Sequence, residues 1–380
     1  MSEVALKIQR RCYFGEAVRE ISIYRRLRTC SGIVELQEVF MDDGHICMAF
    51  EKHGNSLAVA LDHGAIEPAH VRRVARQVLV ALDQMHRCGY AHTDMKPENI
   101  LYRPGSGDAR LADLGEATKR LRQGTLYGTR EYTPPEVLLG APLNRSLDTW
   151  SFGCTVFEML TGELLFDPRA VAEKKYHEFG SNGHGKQIPL ASSVAEDRAE
   201  EKSEQMVRGT TISDKYRLKH PLGRGRFSTV WAAEKLNDIS LENQGQVVSD
   251  NGAKHATRVV RTERQRKDRQ WRRAKGAADV LDLALNYEHL LLMAELCGPF
   301  PRVMVESGRY RASYFEKDSA FRFQPQLCKT SIRDRLRAGS KLRGGALEQA
   351  SNFLSCCLKI DPRKRITLRA ALADAWLIGD

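Results

Sequence analysis

Apolar positions divide the chain into short extended runs and longer helical stretches. Val4-Ala5-Leu6-Lys7-Ile8 is a β-rich run that ends in basic residues. Ala17, Ile21, Tyr24 and Leu27 then recur at spacings of three and four, which predicts a helix over residues 16–27. Ile33 to Glu51 holds two apolar runs around Asp42-Asp43-Gly44, the pattern of a hairpin. Val71, Val74, Ala75, Val78, Leu79 and Leu82 share one face of a helix over 69–87, while Arg72, Arg73 and Arg76 fall elsewhere and read as solvated. Another apolar helix opens at Asp148-Thr149-Trp150-Ser151-Phe152-Gly153 and runs through Leu165, and one more starts near Glu288. Between them, Tyr216 to Trp231 alternates as a second hairpin.

Composition adds bounds. A chain of 380 residues makes one large two-lobed domain or two ordinary ones. With 42% hydrophobic and 28% charged residues it has the makings of sizeable cores in a soluble protein. The net charge of +11 matters less than where the charges lie. Nine cysteines include no C-x-x-C pair, which points to buried thiols of an intracellular protein, in the cytoplasm, the nucleus or both. Met1 to Arg11 lacks the apolar core of a secretory signal, and no run approaches the roughly eighteen apolar residues of a membrane helix.

The chemistry concentrates in Tyr90-Ala91-His92-Thr93-Asp94-Met95-Lys96-Pro97-Glu98-Asn99-Ile100-Leu101. Asp94, Lys96 and Asn99 stand at offsets of two and five between apolar flanks. Phosphoryl transfer asks for a carboxylate to take a hydroxyl proton, a cation beside the moving phosphate, and an oxygen ligand for Mg²⁺. One tight loop offers all three. Leu111-Ala112-Asp113-Leu114-Gly115 follows with a second carboxylate suited to Mg²⁺.

These motifs resemble those of protein kinases: H-T-D for the usual H-R-D, D-L-G for D-F-G, and Pro134-Pro135-Glu136 for A-P-E. The resemblance implies an α+β, two-lobed fold with a small β-rich N-lobe, a larger helical C-lobe and a large insert. Residues 1–51 would form a partial N-lobe, 52–167 and 288–380 the C-lobe, and 168–287 the insert. It further implies that Lys7, paired with Glu20, grips the α and β phosphates of ATP, and that the hinge after Glu51 binds the adenine. Asp94 would be the base, Lys96 would stabilise the γ-phosphate, and Asn99 and Asp113 would hold Mg²⁺. Glu136 would pair with Arg365, and Asp148 would brace the catalytic loop.

Within kinases the chain is most similar to the SR-protein kinase family, with Clk-type kinases as near relatives. Residues 92–101, 112–115, 45–48 and 288–299 carry this, together with Ser307-Gly308-Arg309-Tyr310 and Tyr314-Phe315. Substrates would then be Arg-Ser-rich proteins. Glu288 and Glu295, two helical turns apart, would form an acidic docking face for them, against the plainer reading of two solvated glutamates. Thr93 replaces the arginine that receives an activation-loop phosphate, so activity should survive phosphatase treatment. Thr133 departs from the family's T-R-x-Y-R pattern and puts substrate preference near the phosphosite in question.

A kinase carries a glycine-rich hairpin ahead of its V-A-x-K strand. Here the matching pattern, Leu222-Gly223-Arg224-Gly225-Arg226-Phe227-Ser228-Thr229-Val230, lies in the insert. Gly223 and Gly225 would let backbone N–H groups approach phosphates and Val230 would cover the adenine. Three readings stand: the hairpin folds back to complete the N-lobe, the true order of the chain differs, or the N-lobe is incomplete and the protein is a pseudokinase scaffold for basic partners. Residues 171–210 read as a linker. The basic stretch 254–275 reads as a solvated linker in preference to a nucleic-acid patch. A monomer is the simplest expectation.

Overall fold

The computed structural model describes residues 3–172, 208–224, 228–236, 275–322 and 330–379. Its strands are β1 (Glu3–Gln9), β2 (Leu36–Asp42), β3 (His45–Glu51), β4 (Asn55–Ser56), β5 (Ile100–Arg103), β6 (Asp108–Leu111), β7 (Thr211–Ile212), β8 (Tyr216–Arg224) and β9 (Ser228–Lys235). Its principal helices are α1 (Phe14–Arg26), α2 (Leu57–Leu61), α3 (Pro68–Arg87), α4 (Pro135–Leu139), α5 (Leu147–Thr161), α6 (Lys275–Cys297), α7 (Arg302–Ser307), α8 (Arg311–Tyr314), α9 (Ile332–Gly339) and α10 (Gly344–Cys357). The chain divides into a sheet unit (1–18, 36–52 and 169–266) and a helical unit (19–35, 53–168 and 267–380).

The sheet unit has six strands in the order β2-β3-β1-β9-β8-β7. β1 is flanked by β3 and β9, both antiparallel to it. The hairpin 216–235 therefore occupies the edge of β1 that β3 leaves open, and the sheet is not short of it. Period-two burial explains the seating: Val4, Leu6 and Ile8 join Leu218, Trp231 and Ala233 in one core. The sheet curls until its ends meet. Phe40 on β2 stacks on Tyr216 at 5.5 Å. Glu38 accepts from the Tyr216 hydroxyl at 2.8 Å and from Lys215 Nζ at 2.7 Å. Asp42 accepts from the Ser213 backbone N–H at 2.8 Å.

In the helical unit α5 is the centre: every residue of it except Glu158 is buried. Gly153 lets α10 approach so closely that a Cβ would sit 3.0 Å from Cys357 Cβ. α3 buries the face anticipated from its spacing, with Ala81 and Met85 added. Two boundaries differ from expectation. α5 stops at Thr161 because Gly162 takes a left-handed φ of 75°, four residues before Leu165. The helix expected near Glu288 starts at Lys275. The thiols also differ: Cys47, Cys154 and Cys357 are buried, but Cys12 and Cys88 are exposed. Among the described residues no helix is long and apolar enough to cross a membrane.

Candidate active site

Asp148, at the start of α5, organises the catalytic loop from below. Its Oδ2 accepts the His92 backbone N–H and its Oδ1 the Thr93 backbone N–H, both at 2.8 Å. His86 Nε2 donates to Oδ2 at 2.7 Å. Burial alone would raise the Asp148 carboxyl, but the His86 hydrogen bond and charge, with His92 and Thr93, hold it below its ordinary value. The two backbone bonds let Thr93, a β-branched residue, stand at φ 70°. Its Oγ1 donates to Glu116 O at 3.0 Å, so the side chain in the usual arginine's place is buried and tied to backbone. His92 Nδ1 accepts the Asp94 N–H at 3.3 Å while Nε2 faces Ala112 O at 3.2 Å, which assigns the proton to Nε2.

Asp94 is held from three sides. Thr129 Oγ1 donates to its Oδ1 at 2.8 Å, Asn99 Nδ2 to its Oδ2 at 3.1 Å, and Lys96 Nζ lies 3.3 Å from Oδ2. Lys96 also donates to Thr129 Oγ1 at 2.7 Å. Asn99 Nδ2 bonds Asp94 O as well, at 2.7 Å, which turns its amide oxygen into the candidate metal ligand. The Ala112 N–H bonds Asn99 O at 2.8 Å and so ties the strand leading to Asp113 to this loop. Asp113 is exposed, at φ 54°. An exposed carboxylate and an oriented amide oxygen are hard donors of the kind Mg²⁺ takes, so Asp113 and Asn99 are the residues that would hold it. Glu20 is buried on α1, and its carboxylate would lie 3.7 Å from a Cβ at Gly115.

The sheet unit gathers its own set. Lys7 on β1 is directly opposite Val230 on β9, and Val230 is opposite Gly223 on β8. Directly opposed residues of antiparallel strands share a face, so three positions far apart in sequence form one row. Glu51 ends β3 opposite Val4. Gly225 lies outside the described residues, as does the basic stretch 254–275 apart from Lys275 itself.

The activation segment closes on a buried ion pair. Glu136 and Arg365 are both fully buried and joined by two bonds of 2.6 Å. Arg130 reaches α6, donating to Asn286 Oδ1 and Asp282 Oδ1 at 2.6 Å each. Gly128, at φ 82°, lies so near the catalytic loop that a Cβ would be 2.9 Å from Thr93 O.

Residues 3–210 match the family model described as protein kinase domain, more than half of the chain. This chain belongs to the protein kinase family. It is 33% identical over 167 residues to serine/threonine-protein kinase prp4 of Schizosaccharomyces pombe, covering 41% of this chain and 35% of that protein. It is 32% identical over 175 residues to dual specificity tyrosine-phosphorylation-regulated kinase 3 of Homo sapiens, covering 43% and 30%. A serine/threonine-protein kinase H1 homolog of Danio rerio is 26% identical over 259 residues, covering 63% and 56%. The chain thus spans about a third of the length of the first two relatives. The curled β-sheet is that of a kinase N-lobe, and the helices packed around α5 are those of a C-lobe.

Several residues of this kinase site escape sequence reasoning. Thr129 gives no catalytic signal in the sequence, yet it links Asp94 to Lys96. Tyr24 is buried beside Asp113 and Leu114; burial, with the Glu20 and Asp113 carboxylates, pushes its phenol well above the ordinary value. A pocket of about 320 Å³ is lined by Asp62, Glu98, Glu131 and Glu158 together with Thr129 and Tyr132, and by no lysine or arginine among the described residues. Burial raises Glu158 to about 7, the Glu98 and Glu131 carboxylates adding to it against the Tyr132 hydrogen bond. Four acids, from the residue capping α2, the catalytic loop, the activation segment and α5, share no sequence window, so only folding groups them. Glu288 and Glu295 lie half-buried on α6, two turns apart.

Proposed function

We propose that this chain transfers the γ-phosphoryl group of ATP to serine or threonine hydroxyls of proteins, with Arg-Ser-rich proteins as its substrates. The observation that carries the reading is the Asp94 carboxylate, fixed by Thr129, Asn99 and Lys96. A base so oriented accepts the proton of an incoming hydroxyl as the oxygen attacks phosphorus. Lys96 places a cation beside that carboxylate, where charge builds on the transferred group. Bound Mg²⁺ would neutralise phosphate charge, and Asn99 and Asp113 are the residues to hold it. In the N-lobe, Lys7, Val230 and Gly223 share the face on which ATP would lie, with Glu51 at the hinge. Lys7 pairs with Glu20 in this reading. Gly225, next in the glycine pattern, is assigned to the phosphates by sequence.

The acidic pocket supports the choice of substrate. It adjoins Thr129, which is bonded to the base, so an arginine a few residues from the phosphoacceptor meets carboxylates suited to bidentate pairing. Glu288 and Glu295 serve as a more distant docking face. A place in the cytoplasm or nucleus accords with such substrates. The scaffold alternative drew on a missing hairpin; a sheet that contains the hairpin weighs against it.

Transfer of radiolabel from ATP to an Arg-Ser peptide tests the reading, beside Asp94→Ala. Wild type labels the peptide, and the variant loses roughly 10²-fold or more. Equal labelling by both overturns the enzyme reading.

A further inference from the structure

The loop after α1 is fastened to the C-terminal end of α3. Cys30 N–H closes a turn on Leu27 O at 2.8 Å. Ser31 and Gln84 exchange two hydrogen bonds, Ser31 N–H to Gln84 Oε1 at 2.8 Å and Gln84 Nε2 to Ser31 Oγ at 2.6 Å. Gly32 lies so close that a Cβ there would be 3.2 Å from Ala81 Cβ. Cys88 caps α3, its N–H bonded to Gln84 O at 3.1 Å. Gln84 thus anchors both segments, the one that begins at Cys30 and the one that ends at Cys88, and the two thiols are electrostatic neighbours. Cys88 is exposed and Cys30 half-buried, so a small oxidant reaches the pair from solvent. Cys154, which faces Cys297, is itself sealed in the core.

We propose that Cys30 and Cys88 are a redox site, joined reversibly into a disulfide by a hydroperoxide. The Cys88 thiolate attacks a peroxide oxygen: an S–O bond forms, the O–O bond breaks, and the departing hydroxide takes a proton to become water. The Cys30 sulfur then attacks the Cys88 sulfenic sulfur. The S–S bond forms, the S–O bond breaks, and a second water leaves with the Cys30 proton. Two thiols and one hydrogen peroxide give one disulfide and two waters, and two electrons pass from sulfur to oxygen. Cys88 makes the first attack because it is the exposed thiol of the two, while desolvation and the neighbouring Cys88 push the half-buried Cys30 thiol up to about 11. The bond would staple the end of α1, the helix that carries Glu20, to α3 and close a long loop in the unfolded chain.

The test treats the folded, reduced full chain with hydrogen peroxide, alkylates remaining thiols, and maps peptides without reductant. The expected result is a linked peptide pair holding Cys30 and Cys88, lost on adding dithiothreitol, while exposed Cys12 stays alkylated. The thermal midpoint of the oxidised wild type should rise and return with reductant, and Cys30→Ser and Cys88→Ser should show neither change. Alkylation of Cys30 and Cys88 to the extent of Cys12, over-oxidation of Cys88 without linkage, or linkage of either to another cysteine would each overturn the proposal. The mapping uses wild type, so a variant that folds poorly does not weaken it.

Discussion

Replacing Glu136 by glutamine keeps its volume and removes one charge from a sealed site. Arg365 has five N–H groups and makes five hydrogen bonds. Two go to Glu136 at 2.6 Å, and three go to the carbonyls of Lys359 at 2.8 Å, Ser146 at 3.1 Å and Ile360 at 3.3 Å. The guanidinium carbon also lies 5.1 Å from the centre of the Trp150 ring. The glutamine amide would offer one acceptor and turn a donor toward a donor. A buried cation loses its counter-charge and one partner, which costs about 3–5 kcal/mol. That is about a fifth or more of the roughly 5–15 kcal/mol that holds a typical domain folded. Urea unfolding followed by tryptophan fluorescence should show the loss in the transition of the helical unit, with the slope unchanged. The double variant Glu136→Gln, Arg365→Met should lose less than the two single losses added, because it leaves no charge stranded. A loss below about 1 kcal/mol for Glu136→Gln, the range of exposed pairs, would refute the reasoning.

His289 on α6 is buried against Phe166 with neither ring nitrogen hydrogen-bonded among the described residues, and burial, aided by the Arg130 charge, lowers it from 6.5 to about 3. The unfolded chain therefore takes the proton first, so stability present above pH 6.5 is lost as pH falls toward 3, by about 2 kcal/mol at pH 5. His289→Leu should flatten that part of the pH–stability curve, and an unchanged slope between pH 6.5 and 5 would count against a buried neutral imidazole. Glu158 has the opposite displacement, to about 7, so it is largely neutral at pH 6 and ionised at pH 8. The kcat/KM for an arginine-bearing peptide should rise about tenfold across that interval. Glu158→Gln should abolish the rise, and an identical profile in the variant would exclude the pocket from substrate binding.

Motifs of short range were legible because their chemistry is local. Asp94, Lys96 and Asn99 must fall on one loop, so together with the other short motifs they carry the resemblance to kinases, and the helices show in three- and four-residue periods. Element ends were less legible. Gly162 ends α5 through a left-handed backbone that an apolar count does not register, and Lys275 starts α6 at the edge of a basic stretch, where Lys275-Gly276 carries no capping signal. Cysteine burial also escaped, since exposed Cys12 lies in the turn before α1 and exposed Cys88 at the end of α3, where packing and not residue type sets exposure.

The amino-acid order by itself determined the family, the catalytic loop and the pairing pattern of a glycine-rich hairpin, all set by neighbours a few residues apart. Only the tertiary structure decided where that hairpin goes. β9 takes the open edge of β1 because seven registered pairs and a shared apolar face join there, bringing Val230 beside Lys7 across more than half of the chain. Folding likewise brought Thr129 to Asp94 and set four carboxylates around one pocket. Contacts of that kind arise from packing between distant segments, which sequence spacing does not encode.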